Sequence, residues 1–218
     1  MKKRIFIASA FFNFIFALLV VRHYMLLPRA KENSKLIFFA GRDKVLQKLP
    51  KKNTDILFVG DSQIQGFEVA EFFNSLNVKN RGIYYDNSGG VLHRSNDLAA
   101  GKPAKIFIEI GTNDLNANMH LDSVKKNVTR TIDLIRASSP KTELYLLGVL
   151  PFGDDTEINN QRLKLNVIYS DLARNKATFI ALDKYFSRNR SFYVDDKVHL
   201  SGAGYKKLYE VLKPFVTE

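Results

Sequence analysis

The strongest constraint in this chain is an alternation. Short apolar runs, three of them closed by glycine, are separated by longer stretches with helical spacing. The runs at 55–59, 78–81, 105–110, 143–150 and 178–182 are rich in β-branched and aromatic residues and are read as strands. Between them, 67–76, 91–100, 121–138 and 158–176 carry apolar residues at helical spacing, and 205–216 adds a last helix. In the first stretch Val69, Phe72, Phe73 and Leu76 are expected to face inward; in the fourth, Leu163, Val167, Ile168 and Leu172. Strands that alternate with helices predict an α/β fold: a five-stranded parallel sheet with helices on both faces. Chemistry in such a fold belongs in the loops at the carboxyl ends of the strands.

The amino end has a different character. Met1-Lys2-Lys3-Arg4 precedes residues 5–21, which only Ser9 and Asn13 interrupt; Arg22-His23-Tyr24 and Met25-Leu26-Leu27-Pro28 follow. A bilayer-spanning helix takes about 20 apolar residues. Residues 5–27 reach that length if Arg22 snorkels to the interface. A cleavable signal peptide is the rival, but the small residues Ala8-Ser9-Ala10 come too early for a cleavage site. The expectation is therefore an uncleaved, single-pass membrane anchor over 1–28, which places the catalytic domain on the periplasmic, extracytoplasmic side. A connector over 29–53 follows, an amphipathic helix interrupted at Gly41, ended by Pro50 and packed on the domain; the domain itself spans 54–218.

Composition narrows the chemistry. With no cysteine, disulfides, thiolate metal sites and a cysteine nucleophile are excluded. The net charge of +11 suits contact with anionic lipid or glycan surfaces. Nucleic acid is not expected, because the positive charges are scattered and no recognition motif accompanies them. No group of residues has metal-ligand spacing, so neither a metal nor another cofactor is expected.

Four positions carry the candidate chemistry. Ser62, in Gly60-Asp61-Ser62-Gln63, follows the first strand; alone it would be a turn serine capping the next helix. Gly82 follows the second strand, where its N–H can face a developing negative charge. Asn113, in Gly111-Thr112-Asn113-Asp114, offers a neutral side-chain amide to an oxyanion, while Asp114 is read as a turn residue. His199, in Asp196-Lys197-Val198-His199, can take the serine proton and return it to the leaving group. Asp196, three residues earlier, can orient the imidazole; Asp195 is adjacent, but the three-residue spacing favours Asp196. Of the other histidines, His23 flanks the apolar segment, His93 lies in a helical stretch, and His120 precedes a helix where substrate contact is possible.

Together these positions resemble the SGNH/GDSL hydrolase family. Gly60-Asp61-Ser62 looks like its first block, Gly82 its second-block glycine, Asn113 its third-block asparagine and Asp196-x-x-His199 its last block. Four blocks in order, each after a strand or before the final helix, are a specific signal. The stretch from Asn80 to Leu115 looks most like the branch with platelet-activating-factor acetylhydrolase-like and bacterial acetyl-esterase domains. The resemblance implies a flavodoxin-like three-layer α/β/α sandwich and ester hydrolysis through an acyl-enzyme. It also implies Ser62, Asp196 and His199 as catalytic residues, with Ser62, Gly82 and Asn113 forming the oxyanion hole. With the anchor, the expected substrate is a short-chain, acetyl ester on a cell-envelope glycan or lipid. Acyl transfer to a sugar hydroxyl and a catalytically idle carbohydrate-binding descendant are the alternatives. Two departures stand out. Gln63 replaces an aliphatic or hydroxyl residue, and Tyr84-Tyr85-Asp86-Asn87 stands where relatives carry small residues and a threonine. Both are candidates for setting substrate choice.

Overall fold

The computed structural model describes residues 2–151, 153–154, 156–186 and 189–217, with the side chains of 2–11, 25–33, 35 and 36 outside the description. The chain divides into two units, Met1–Gly41 and Arg42–Glu218. Helix α1 (Lys2–Lys48) supplies the first unit, and its last residues belong to the second, where Asp43 and Leu46 are buried. The helix does not break at Gly41, contrary to the expected interruption.

The membrane anchor expected over 1–28 is corrected. Among the described residues no helix is long and apolar enough to cross a membrane. The apolar stretch is no separate span: α1 continues without a boundary through Arg22, Arg29, Lys31, Glu32 and Lys35. Several ionised residues share the helix with the apolar ones, and each is costly at bilayer depth. Part of the expected span, residues 5–11 and 25–27, has side chains outside the description. Single-pass membrane anchoring, and the periplasmic placement built on it, fall with that span.

In the second unit, β1 (Ile56–Gly60), β2 (Val78–Gly82), β3 (Lys105–Glu109), β4 (Glu143–Leu147) and β5 (Thr178–Ile180) form one sheet of order β2-β1-β3-β4-β5. Every pairing is parallel. The helices are α2 (Ser62–Gln65), α3 (Val69–Phe72), α4 (Ser88–His93), α5 (Ser95–Ala99), α6 (Thr112–Asn116), α7 (Leu121–Ser138), α8 (Thr156–Ala173), α9 (Asp183–Phe186) and α10 (Gly202–Thr217). A 3₁₀ turn, Arg190–Phe192, lies before α10.

Because strand side chains alternate in direction, the sheet serves two cores. On one face Leu57, Val59, Ile106, Ile108, Leu144 and Leu146 pack against α4, α5, α7 and α8. On the other, Phe58, Phe107, Tyr145 and Leu147 pack against α2, α3, α9 and α10. The result is the expected three-layer α/β/α sandwich. Three aromatic rings, neighbours in register, run across the second face. Phe58 stacks on Phe107 at 4.7 Å, and Phe107 on Tyr145 at 4.4 Å.

Three helical stretches differ from their pattern, and the helix expected over 91–100 is divided between α4 and α5. The helix expected over 67–76 shrinks to α3, because Asn74 turns into the left-handed region (φ 45°), and Leu76 is left exposed. In α8 the buried face carries Arg162, Leu165, Asn166 and Tyr169, while Leu163 and Val167 are exposed. The cause is polar. The chain leaving β4 has a peptide group at Val149 that needs partners. Asn166 Oδ1 accepts from Val149 N (2.8 Å), while Asn166 Nδ2 (3.1 Å) and Arg162 Nη1 (3.3 Å) donate to Val149 O.

Phe107 is the middle ring of the ladder and fully buried. Replacement by alanine is expected to cost about 3–5 kcal/mol of unfolding free energy, read from urea denaturation. A loss below about 1 kcal/mol would show that the ladder closes without it.

Candidate active site

The strand order makes β1 the switch point: β2 lies on one side of it and β3 on the other. Loops leaving β1 and β3 diverge there and leave a crevice. Ser62 begins α2 directly after β1, Gly82 ends β2, and Asn113 lies in the first turn of α6 after β3. Asp61 caps α2, its Oδ1 accepting from Gln63 N at 2.9 Å. Gly82 is required by packing, since a Cβ there would collide with Gln65 N and lie 2.7 Å from the Ile64 carbonyl carbon.

His199 arrives from the other end of the chain. An antiparallel bridge, Tyr193–Leu200, closes a loop in which Lys197 is left-handed (φ 60°). Asp196 shapes that loop: its Oδ1 accepts from both Val198 N and His199 N at 2.9 Å. Its Oδ2 lies 2.6 Å from His199 Nδ1, and His199 Nε2 lies 2.9 Å from Ser62 Oγ. Serine, imidazole and carboxylate thus form a continuous relay. Slight burial would raise the Asp196 carboxyl, but hydrogen bonds from His199 and the two backbone N–H groups hold it below its usual value. Asp195, its sequence competitor, instead lines a cavity of about 440 Å³ with Asp154, Asn189, Arg190 and Lys197.

Two of the expected oxyanion donors are engaged elsewhere. Gly82 N donates to Asn80 Oδ1 (2.8 Å). Asn113 Nδ2 donates to Asp86 O (2.8 Å), with Asp61 Oδ2 at 3.4 Å. Hydrogen bonds in a site without substrate commonly rearrange when the reacting group enters. Asn80 also acts through its amide nitrogen. Its Nδ2 reaches the carbonyls of Ile64 (2.6 Å) and Phe67 (2.8 Å), pinning the chain after Ser62.

Gln63 does not face substrate. It is 2% exposed; its Nε2 donates to Val198 O, and its Oε1 accepts from Leu200 N at 3.2 Å. Those are the two neighbours of His199. The residue after the serine therefore straps down the segment that carries His199. His120 caps α7: its Nδ1 accepts from Asp122 N at 3.4 Å.

Beneath the site lie four buried carboxyl groups, Asp61, Asp86, Glu109 and Asp114. Asp86 is paired with the buried Arg94 (2.7 Å), which also donates to Arg81 O (2.7 Å) and approaches Gly60 O (3.4 Å). Arg94 thereby ties the ends of β1 and β2 to the loop that holds Asn113. Asp114 accepts from Ser88 Oγ (2.6 Å) and Ser88 N. Burial pushes Asp61 up to about 7, aided by the charges of Asp86 and Asp114. Burial also pushes Asp86 up to about 6 against the pull of Arg94, and raises Glu109 well above the usual range. Sequence reasoning missed Asn80, Asp86 and Arg94, since a polar residue that will be buried looks like any surface residue until its partners are known.

The arrangement has a known counterpart. Residues 58–207 match the model of the GDSL-like Lipase/Acylhydrolase family. The chain belongs to that family. The hydrolase is 28% identical over 183 residues to platelet-activating factor acetylhydrolase IB subunit alpha2 of Bos taurus and of Homo sapiens, covering 77% of this chain and 78% of the relative. Its fold matches a Streptococcus pneumonia protein, provisionally described as a platelet activating factor, with TM-score 0.78, 25% identity and coverage of 88% and 98%. An acetylxylan esterase from Geobacillus stearothermophilus shares the fold at TM-score 0.63 and 17% identity, with coverage of 77% and 95%. The GDSL hydrolase is an enzyme acting on ester bonds.

The strap and the buried acids can each be tested. Gln63→Met keeps the volume and removes both bonds to the His199 segment. It should lower kcat about 10- to 100-fold with KM little changed, in steady-state ester hydrolysis. The raised carboxyls set the pH dependence of folding. Asp61 and Asp86 have native values above their ordinary 3.8, so the native state holds more protons than the unfolded chain between there and about 6–7. Their contribution is fully present below 3.8 and is lost as pH rises through the native values. Thermal melts from about pH 5 to pH 8 should show stability falling, with a shallower fall in Asp61→Asn.

Proposed function

We propose that this hydrolase cleaves a short-chain, acetyl ester through an acyl-Ser62 intermediate. The observation that carries the reading is the unbroken relay from Asp196 through His199 to Ser62. As Ser62 Oγ adds to the ester carbonyl carbon, its proton passes to His199 Nε2, and Asp196 stabilises the resulting imidazolium. The carbonyl oxygen becomes an oxyanion among the Ser62 N–H, the Asn113 amide and the Gly82 N–H, the latter two exchanging their present acceptors for it. Collapse breaks the bond to the alcohol oxygen, which leaves with the proton from His199. Water then adds to the acyl carbon and gives its proton to His199. The second collapse releases the carboxylic acid and returns the proton to Ser62.

Support for acetyl comes from the acetylhydrolase relatives, 28% identical to this chain. The alcohol is a glycan or lipid hydroxyl. The cell envelope entered the reading through the anchor and leaves with it. The full-length protein should hydrolyse p-nitrophenyl acetate, and Ser62→Ala should lower kcat at least about 10³-fold. A fluorophosphonate probe should label the wild type at Ser62. Equal turnover by the variant would refute the assignment.

A further inference from the structure

The loop between β2 and α4 presents two aromatic rings that the relay does not use. Tyr84 stacks on His199 with ring centroids 5.8 Å apart and planes 15° from parallel. Tyr85 meets Tyr84 edge-on, at 4.8 Å and 82°. Both remain accessible, at 37% and 41%. The two rings make an open corner, a floor and a wall, beside the catalytic imidazole.

The corner is held rigidly. Tyr84 N donates to Gln65 Oε1 (2.6 Å), Ile83 N to Gly60 O (3.0 Å), and Asp86 N to Ile83 O (3.0 Å). The last bond closes a four-residue turn in which Tyr85 occupies the third place with φ 64°. That place in a type II turn favours glycine, and a bulky side chain there is strained. Strained backbone of this kind clusters at functional sites, so its placement here points to function.

Chemistry tells which part of the substrate the corner meets. His199 returns its proton to the oxygen of the departing alcohol, so that alcohol must lie against the imidazole. The ring stacked on His199 therefore borders the alcohol side of the scissile bond, not the acyl side. An exposed flat ring with a phenol hydroxyl suits a ligand with an apolar face and a polar edge. A pyranose ring has both. An acyl chain or lipid tail would need an enclosed apolar groove, whereas the corner of Tyr84 and Tyr85 is open.

We infer that Tyr84 and Tyr85 form a sugar-stacking subsite, and that the alcohol released by this enzyme is a carbohydrate. This rests on the serine-esterase reading above and adds the class of alcohol. Three acetyl esters separate the possibilities in the full-length protein: ethyl acetate, a mono-O-acetylated methyl glucoside, and acetylcholine. Wild type should show the highest kcat/KM on the sugar ester. In Tyr85→Gly the ratio of kcat/KM for sugar ester over ethyl acetate should fall about tenfold, with melting temperature unchanged or raised because the turn is relieved. An unchanged ratio overturns the subsite, and so does a preference for acetylcholine, which would assign a cationic alcohol. A drop in melting temperature beyond about 4 °C would make Tyr85 a packing residue and overturn it as well. The underlying reading fails separately: Ser62→Ala would then hydrolyse ethyl acetate as fast as wild type.

Discussion

The proposed chemistry depends on one hydrogen bond between residues 137 positions apart, from Ser62 Oγ to His199 Nε2. Neither segment could hold that distance alone. Ser62 sits on a four-residue helix, and His199 on a loop closed by a single bridge. Gln63 supplies the missing rigidity by bonding the backbone on both sides of His199. Buried hydrogen bonds of this kind contribute about 1 kcal/mol each, but their greater effect is on geometry. A catalytic pair tolerates little displacement before its rate falls.

Beneath that bond the enzyme carries a concentration of buried acid. Four carboxyl groups share the region with one deeply buried guanidinium, that of Arg94. Such a cluster weakens the fold as pH rises, because each added charge lacks solvent. What it provides is a set of fixed acceptors. Asp61 holds the turn of Ser62, Asp86 offers its carbonyl to Asn113, and Asp114 holds Ser88. Arg94 joins the ends of β1 and β2 to the same loop. Asp61, Asp86 and Asp114 stiffen the site by accepting hydrogen bonds away from water, whereas both carboxyl oxygens of the buried Glu109 lack a hydrogen-bond partner among the described residues.

Legibility in the sequence followed how local the governing physics was. Alternating patterns revealed five parallel strands because a buried strand needs apolar residues wherever it lies. The same reasoning failed on α8: Leu163 and Val167 face outward because Arg162 and Asn166 were needed inside to satisfy Val149. A long apolar stretch suggested an anchor, yet α1 runs through its charged residues as one continuous helix. Gln63 looked like a specificity residue from its place beside Ser62, and the fold turned it inward.

The sequence alone determined the α/β layering, the order of the chemical blocks, and the placement of Ser62 and Asn113 just beyond strands and of His199 before the final helix. Those properties come from hydrophobic period and residue type, which act over a few neighbouring positions. Only the tertiary structure decided that Gly82 N–H rests on Asn80. It alone showed that Tyr84 lies on the imidazole. Hydrogen bonds and ring contacts are short-ranged and directional, so their partners are chosen only when distant segments have been packed together.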